Sequence, residues 1–218
     1  MRFAPGEFYH IYNRGVEDRS IFQDRADYLR FIIGLWAFNS SNPVAIKDLN
    51  KNPEIGSRGR RLASVLSYAL MKNHVHLLVR CLKEKDLSEY LQKIFIGYTM
   101  YFNLKHQRRG VLFQGKSKSK HVDNDIYLKH LINYIHLNPL DYSFPEWRNG
   151  KIKNIKKAEE TLLDYSWSSL PGILGTKSDA IIDRPTIDAL TPDKGELLES
   201  MWSWSGGIYT RNKEIFME

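Results

Sequence analysis

The stretch Lys72-Asn73-His74-Val75-His76-Leu77-Leu78-Val79 limits what this chain can fold into more than any other. Side chains alternate across a strand, so His74 and His76 share one face while Val75, Leu77 and Val79 fill the other. The run from Leu62 to Met71 directly before it reads as a second strand, and the connection Lys72-Asn73-His74 is tight enough to pair the two antiparallel. Both histidines then sit on or beside a central hairpin, converging on one point as a divalent metal needs. Further on, in Asn133-Tyr134-Ile135-His136-Leu137-Asn138-Pro139, Tyr134 and Asn138 lie one helical turn apart just before a helix-ending proline. A phenol and an amide oxygen are thereby stacked on one helical face.

Around the hairpin the chain alternates strands and helices. Phe8 to Asn13 reads as a first strand ended by Arg14-Gly15, and Asp24 caps a helix running to about Phe38. Residues 39 to 61 have the composition of a long, partly mobile loop. Asp86 or Ser88 is the expected cap of a second helix reaching about His106, on which Tyr98 and Tyr101 read as packing residues. Val111 to Val122 reads as a fourth strand, and Asp123-Asn124-Asp125 caps the helix that carries Tyr134. The order β-α-β-β-α-β and a further helix is that of an α+β, ferredoxin-like antiparallel sheet with helices on one face. Residues 146 to 218 read as a C-terminal extension after a main domain over 1 to 145.

The net charge of +7, from 32 Lys+Arg against 25 Asp+Glu, favours a polyanionic partner. Basic residues cluster at Arg58, Arg60 and Arg61, at Arg108 and Arg109, and at Lys116, Lys118 and Lys120, with Arg14 beside the first strand and a further group over 151 to 157. Clusters interleaved with aromatics suit single-stranded nucleic acid, where phosphates take the charge and bases stack on rings. A single cysteine, Cys81, fits a reducing cytoplasm and argues against a zinc-thiolate site. No apolar run approaches the roughly 20 residues needed to span a bilayer, so a soluble intracellular protein is expected, with no membrane partner.

On a helical wheel with Tyr134 at zero, His130 and Asn138 fall about 40° to either side and Tyr127 about 20° away. Leu128, Ile132 and Ile135 occupy a separate arc, so the polar stripe is expected to face a substrate while the arc packs on the sheet. His130 is better placed than His136 to supply an alternative ligand.

The ordered set of His74-Val75-His76, then Phe113-Gln114-Gly115-Lys116-Ser117-Lys118-Ser119, then Tyr134-Ile135 with Asn138-Pro139, resembles the single-tyrosine IS200/IS605-like transposases, and among them the REP-associated branch. Tyr9-His10-Ile11-Tyr12-Asn13-Arg14-Gly15 and Asp164-Tyr165-Ser166-Trp167-Ser168-Ser169 also look like that branch, so the resemblance covers roughly residues 7 to 175. It implies a catalytic domain over 1 to 145, with His74, His76 and Asn138 as metal ligands and Tyr134 as the nucleophile. An asparagine at 138 departs from the wider class, where glutamine supplies the same donor group one methylene longer. The implied activity is a single-stranded DNA endonuclease and strand-transferase at hairpin or palindromic sites, through a 5′-phosphotyrosine, with Mg²⁺ or Mn²⁺ and acting as monomer or homodimer. Two other functions fit the same chain: a structured nucleic-acid-binding module without cleavage, and a metal-dependent hydrolase using water in place of Tyr134.

Overall fold

A computed structural model describes residues 2–44, 46 and 59–203. Arg58, Trp204 and most of the expected loop over 39 to 61 lie outside them. Four antiparallel strands, β1 (Phe8–Arg14), β2 (Ala63–Met71), β3 (His74–Cys81) and β4 (Lys118–Val122), form one sheet in the order β2-β3-β1-β4. The Lys72-Asn73 turn pairs Met71 with His74, as the tight connection required. Ladder partners share a face, so Arg14 opposite His74, Tyr12 opposite His76, and Lys118 and Lys120 opposite Tyr12 and His10 all belong to the histidine face.

Helices α1 (Arg25–Ala37) and α2 (Glu84–Lys105) pack together, and α2 packs on β2 and β3, over the apolar face of Ile11, Val75, Leu77 and Val79. This is the ferredoxin-like α+β arrangement. Asp24 caps α1 by accepting from the Asp27 N–H at 3.1 Å. The start of α2 differs from the sequence reading: the helix begins at Glu84, and Asp86 sits in its first turn, where it takes a bidentate ion pair from Arg60. A carboxylate there also meets the positive end of the helix dipole, so the site suits it without a capping bond. The fourth strand is shorter than expected because Gly115, at φ of 123°, breaks the run from Val111.

Helix α3 (Asp125–Leu137), capped by Asn124 through the Tyr127 N–H at 2.7 Å, crosses the opposite, histidine-bearing face. Beyond it come two 3₁₀ turns, Asn138–Tyr142 and Pro145–Asn149, then α4 (Ile155–Asp164), α5 (Leu170–Ile173), α6 (Arg184–Leu190) and α7 (Lys194–Ser203). This segment closes the open side of β2. Leu70 N–H donates to Trp167 O at 2.9 Å, Ser169 N–H to Tyr68 O at 3.0 Å and Asp183 N–H to Val65 O at 2.7 Å. All nine residues of β2 are therefore buried although it is an edge strand. The opposite edge, β4, stays short and lysine-bearing, a pairing that discourages strand addition.

Candidate active site

The site forms where α3 crosses the histidine face. His76 is buried at the middle of the sheet, and its Nδ1 shares a 3.0 Å hydrogen bond with Nε2 of His10 on the neighbouring strand. The two rings stack 5.2 Å apart, and His74 meets His76 edge-on at 4.9 Å. Nδ1 of His74 lies 2.7 Å from the Asn73 side-chain oxygen. Each of His74 and His76 is thus held through Nδ1, which directs Nε2 as the nitrogen a cation would take. Burial, reinforced by the positive charges of Arg148 and Arg14, pushes the His76 pKa down to about 3. Burial likewise holds His10 well below its ordinary value, with His76 and Lys120 adding to the effect. Both imidazoles are neutral near pH 7, which is the protonation state that ligates metal.

Tyr134 presents its ring edge to His76 at 5.5 Å and to His10 at 6.3 Å. It is 3 % exposed, with Trp147 at 6.3 Å and the Arg148 guanidinium 5.8 Å from its ring centre. Tyr134 of the polar stripe therefore faces the sheet, where the sequence suggested an outward, open stripe. The reason is that the helix is covered on both sides: Tyr134 packs on the histidines, while Ile132 and Asn133 line the groove against α7 and Asn133 donates to Ser200 Oγ at 3.1 Å. His136 points to β2, 2.9 Å from Ser169 Oγ, and His130 lines the α7 groove, so neither joins the His74–His76 pair.

Asn138 is buried one turn after Tyr134. Its amide nitrogen donates to Tyr134 O at 2.7 Å, and its amide oxygen accepts from Arg148 Nη2 at 3.2 Å. Asp141 holds that arginine from below, accepting from Nε at 2.8 Å and from Nη2 at 2.6 Å, and also accepts from the Trp147 indole at 2.7 Å. Sequence reasoning did not single out His10, Asp141, Trp147 or Arg148 as site residues. His10 was findable, because it alternates in phase with Tyr12 and Arg14 on a strand next to the histidine strand; nothing in the sequence marks the Asp141–Arg148 clamp.

Among the expected DNA-contacting residues, Lys118 and Lys120 lie on the histidine face with their ammonium groups 5.7 Å and 5.6 Å from the Tyr12 and Tyr127 rings. Arg14 is next to His74 and pairs with Asp18 at 3.3 Å. Lys116 and Arg109 are exposed. Arg60 pairs with Asp86 and Arg61 lies 3.8 Å from Asp183, so both belong to ion pairs that tie the fold together. Arg108 is held by Asn103 Oδ1 at 2.9 Å.

Residues 59–138, which carry β2, β3, α2, β4, all of α3 and so His74, His76, Tyr134 and Asn138, match the model of the family described as IS200-like transposases. Over these residues the chain is similar to IS200-like transposases. No curated protein matches the chain by sequence. Among solved structures, the chain is similar to a REP-associated tyrosine transposase bound to a REP hairpin, with a TM-score of 0.52 and 14% identity over 80% of this chain and 83% of that one. At that identity the likeness is one of fold. The family match stops short of Trp147 and Arg148 and begins after His10, so these neighbours of Tyr134 come from outside the transposase-like segment. No described helix is long and apolar enough to cross a membrane.

Proposed function

We propose that the protein is a single-stranded DNA endonuclease and strand-transferase that acts at hairpin-bearing sites through Tyr134. The observation that carries this reading is the convergence of Tyr134 with His76 and His10, at 5.5 and 6.3 Å between ring centres, under the end of an IS200-like segment. A tyrosine buried for packing alone gains nothing from imidazole neighbours, whereas a nucleophile does. The phenol oxygen forms a bond to the scissile phosphorus, the bond from phosphorus to the 3′ oxygen breaks, and the phenol proton leaves as the 3′ hydroxyl gains one. The product is a 5′-phosphotyrosine. Reversal onto another 3′ hydroxyl exchanges one phosphodiester for another of similar energy, so no nucleotide cofactor is called for.

The donor set fits a divalent cation such as Mg²⁺ or Mn²⁺ in part. His74 and His76 would hold it through nitrogens backed by Asn73 and His10, and Asn138 would add its amide oxygen once Arg148 lets it go. No group of three His, Cys, Asp or Glu side chains gathers for a metal among the described residues, which leaves the amide as the natural third donor. When bound, the cation supplies charge withdrawal from the phosphorus and alignment for in-line displacement. His10 keeps His76 in one tautomer and ring orientation. Arg148 and Trp147 keep water from the phenol until a strand displaces them, and Lys118 and Lys120 carry the phosphates that flank the break.

The test is denaturing electrophoresis of the protein incubated with labelled single-stranded hairpin DNA and Mg²⁺ or Mn²⁺. A label that migrates with the protein, and is lost on Tyr134→Phe, is the expected result. Binding without any adduct would leave a nucleic-acid-binding module, and cleavage without an adduct would leave a water-using hydrolase.

A further inference from the structure

A second basic hollow lies around the corner from His74. A cavity of about 410 Å³ is lined by Arg19, Ser20, Gln23, Lys72, Phe102 and Arg108, three cations with no carboxylate among the lining side chains. Cations gathered in this way repel one another unless an anion joins them. Burial and the nearby Arg19 guanidinium hold Arg108 below its ordinary pKa. The buried Nε of Arg19 has no hydrogen-bond partner among the described residues.

The backbone that presents Arg19 is built at a cost. Glu17 and Asp18, neither a glycine, stand at φ of 55° and 54°. At Gly15 a Cβ would fall 2.3 Å from Arg19 O, so no side chain fits there. The turn is fastened to the hairpin that carries the histidines: Gly15 N–H donates to Asn73 O at 2.8 Å, and Ile21 and Phe22 N–H groups donate to Lys72 O at 2.9 and 3.2 Å. The hollow is therefore rigidly placed relative to His74, which begins the strand after Asn73. A smaller hollow of about 150 Å³, lined by Tyr12, Arg14, Asp18 and Lys118 among others, shares the Gly15–Arg19 turn through Asp18.

From this geometry we infer that the Arg19–Lys72–Arg108 hollow is a phosphate seat for single-stranded DNA, holding a backbone phosphodiester that flanks the one at Tyr134. A strand running from Lys118 past His74 and round the end of the sheet meets it next. Arg19 offers a planar guanidinium that matches phosphate oxygens, Arg108 adds its charge while its Nη1 and Nη2 donate to Asn103 Oδ1 and Val111 O, and Lys72 adds a point charge from an exposed turn. The inference rests on the reading that this chain holds single-stranded DNA, and it assigns Arg19 and Lys72 to the strand's path.

The experiment measures affinity without chemistry, in protein carrying Tyr134→Phe, for a fluorescein-labelled hairpin oligonucleotide with single-stranded flanks across a salt series. Adding Arg19→Gln and Lys72→Gln should weaken binding by about tenfold and lower the slope of log K against log salt by about 0.7, the value for one single-strand phosphate no longer neutralised. Replacing each flank phosphate in turn by an uncharged methylphosphonate should reveal one linkage that matters with the pocket intact and not with it neutralised. A control pair, Lys83→Gln with Lys85→Gln at the opposite end of β3, removes the same charge. An equal loss in the control, an unchanged slope, or no linkage that depends on the pocket would overturn the inference. Lys72→Gln alone, on an exposed turn, should give part of the loss and keeps the test readable if Arg19→Gln does not fold. Failure of wild-type protein to form an adduct would overturn the tyrosine chemistry and leave this binding result standing.

Discussion

Tyr98 and Tyr134 are two buried tyrosines, 1 % and 3 % exposed, on helices that pack against opposite faces of the same sheet. Tyr98 on α2 sits among Phe22, Phe31, Phe102 and Phe113, and its hydroxyl donates to Ile21 O. Burial, with Asp27 adding to it, pushes that phenol far above its usual pKa. Tyr134 on α3 sits instead among two imidazoles, an indole and a guanidinium. Burial does not separate a packing tyrosine from a nucleophile; the chemistry of the neighbours does. On the proposed reading, trimming the α2 tyrosine costs stability alone, whereas trimming the α3 tyrosine also costs a reaction.

The largest expected effect follows from that contrast. Tyr134→Phe should reduce adduct formation and cleavage by about 10⁴-fold or more while leaving the fold and hairpin binding intact. Tyr98→Phe should instead cost about 1 kcal/mol of stability, for a missing buried hydrogen bond, and leave cleavage alone. Gel trapping and urea denaturation of both variants check the pair. An adduct with Tyr134→Phe, or its absence with folded Tyr98→Phe, would erase the distinction between the two faces.

Next in size is the histidine pair. His74→Ala with His76→Ala, or excess chelator, should stop cleavage, and Mg²⁺ or Mn²⁺ should restore it only in the wild type. His10→Ala should act more weakly, lowering metal affinity about 10- to 100-fold, because it removes the partner that orients His76 and not a ligand. Asn138→Ala should also weaken metal dependence less than either histidine change, since a neutral amide is the weakest of the three donors. Titration of Mn²⁺ into each variant by cleavage rate gives the order. Undiminished cleavage in excess chelator would remove the metal from the scheme.

The α3 side of the sheet also carries a pH response. His136, buried on α3 with Nε2 beside Ser169 Oγ, has its pKa pushed down to about 3 by burial. Between that value and the ordinary histidine value near 6.5 this imidazole is protonated in the unfolded chain and not in the folded one, so its contribution to stability falls as pH drops through this window. His136→Gln in chelator should flatten the stability-versus-pH slope there by up to about 1.4 kcal/mol per pH unit. Urea melts from pH 4 to about pH 7 measure it. A slope the same as that of the parent would mean His136 is not held neutral.

What the sequence made legible was whatever rests on local pattern. Alternation through His74 and His76 placed two imidazoles on one face, and the two-residue turn at Lys72-Asn73 put them in a hairpin, as the register confirms. The caps at Asp24 and Asn124 were readable because a side-chain acceptor next to an amphipathic run is a local signal. The surroundings of Tyr134 were not legible. A helical wheel gives the angle between Tyr134 and Ile132 but not which side the rest of the chain will cover, and here both sides are covered. Arg148 and Trp147, held by Asp141, reach Tyr134 because the turns after Leu137 fold back over α3, a long-range consequence that periodicity does not carry. The fourth strand is shorter than residue type alone suggests because Gly115 breaks it, a signal that β-propensity passes over.

The smallest expected effect concerns the edge of the histidine face. Lys118 and Lys120 alternate with Ser119 along β4, so both leave the sheet on the side of His10 and Tyr12, and Lys116 lies just before them. On the proposed reading, a backbone drawn along that edge enters as an unpaired strand, since α3 packs across the histidine face beside it. Neutralising Lys116, Lys118 and Lys120 together should therefore flatten the salt dependence of binding by roughly 0.7 to 1 unit for each phosphate that goes unneutralised. Hairpin-bearing single strands should be cleaved well and fully paired duplex poorly. The comparison is cleavage and binding of the two DNA forms across a salt series, with a matched triple substitution on the α2 face as reference. Equal cleavage of both forms, or a slope no flatter than the reference, would place the strand somewhere other than this edge.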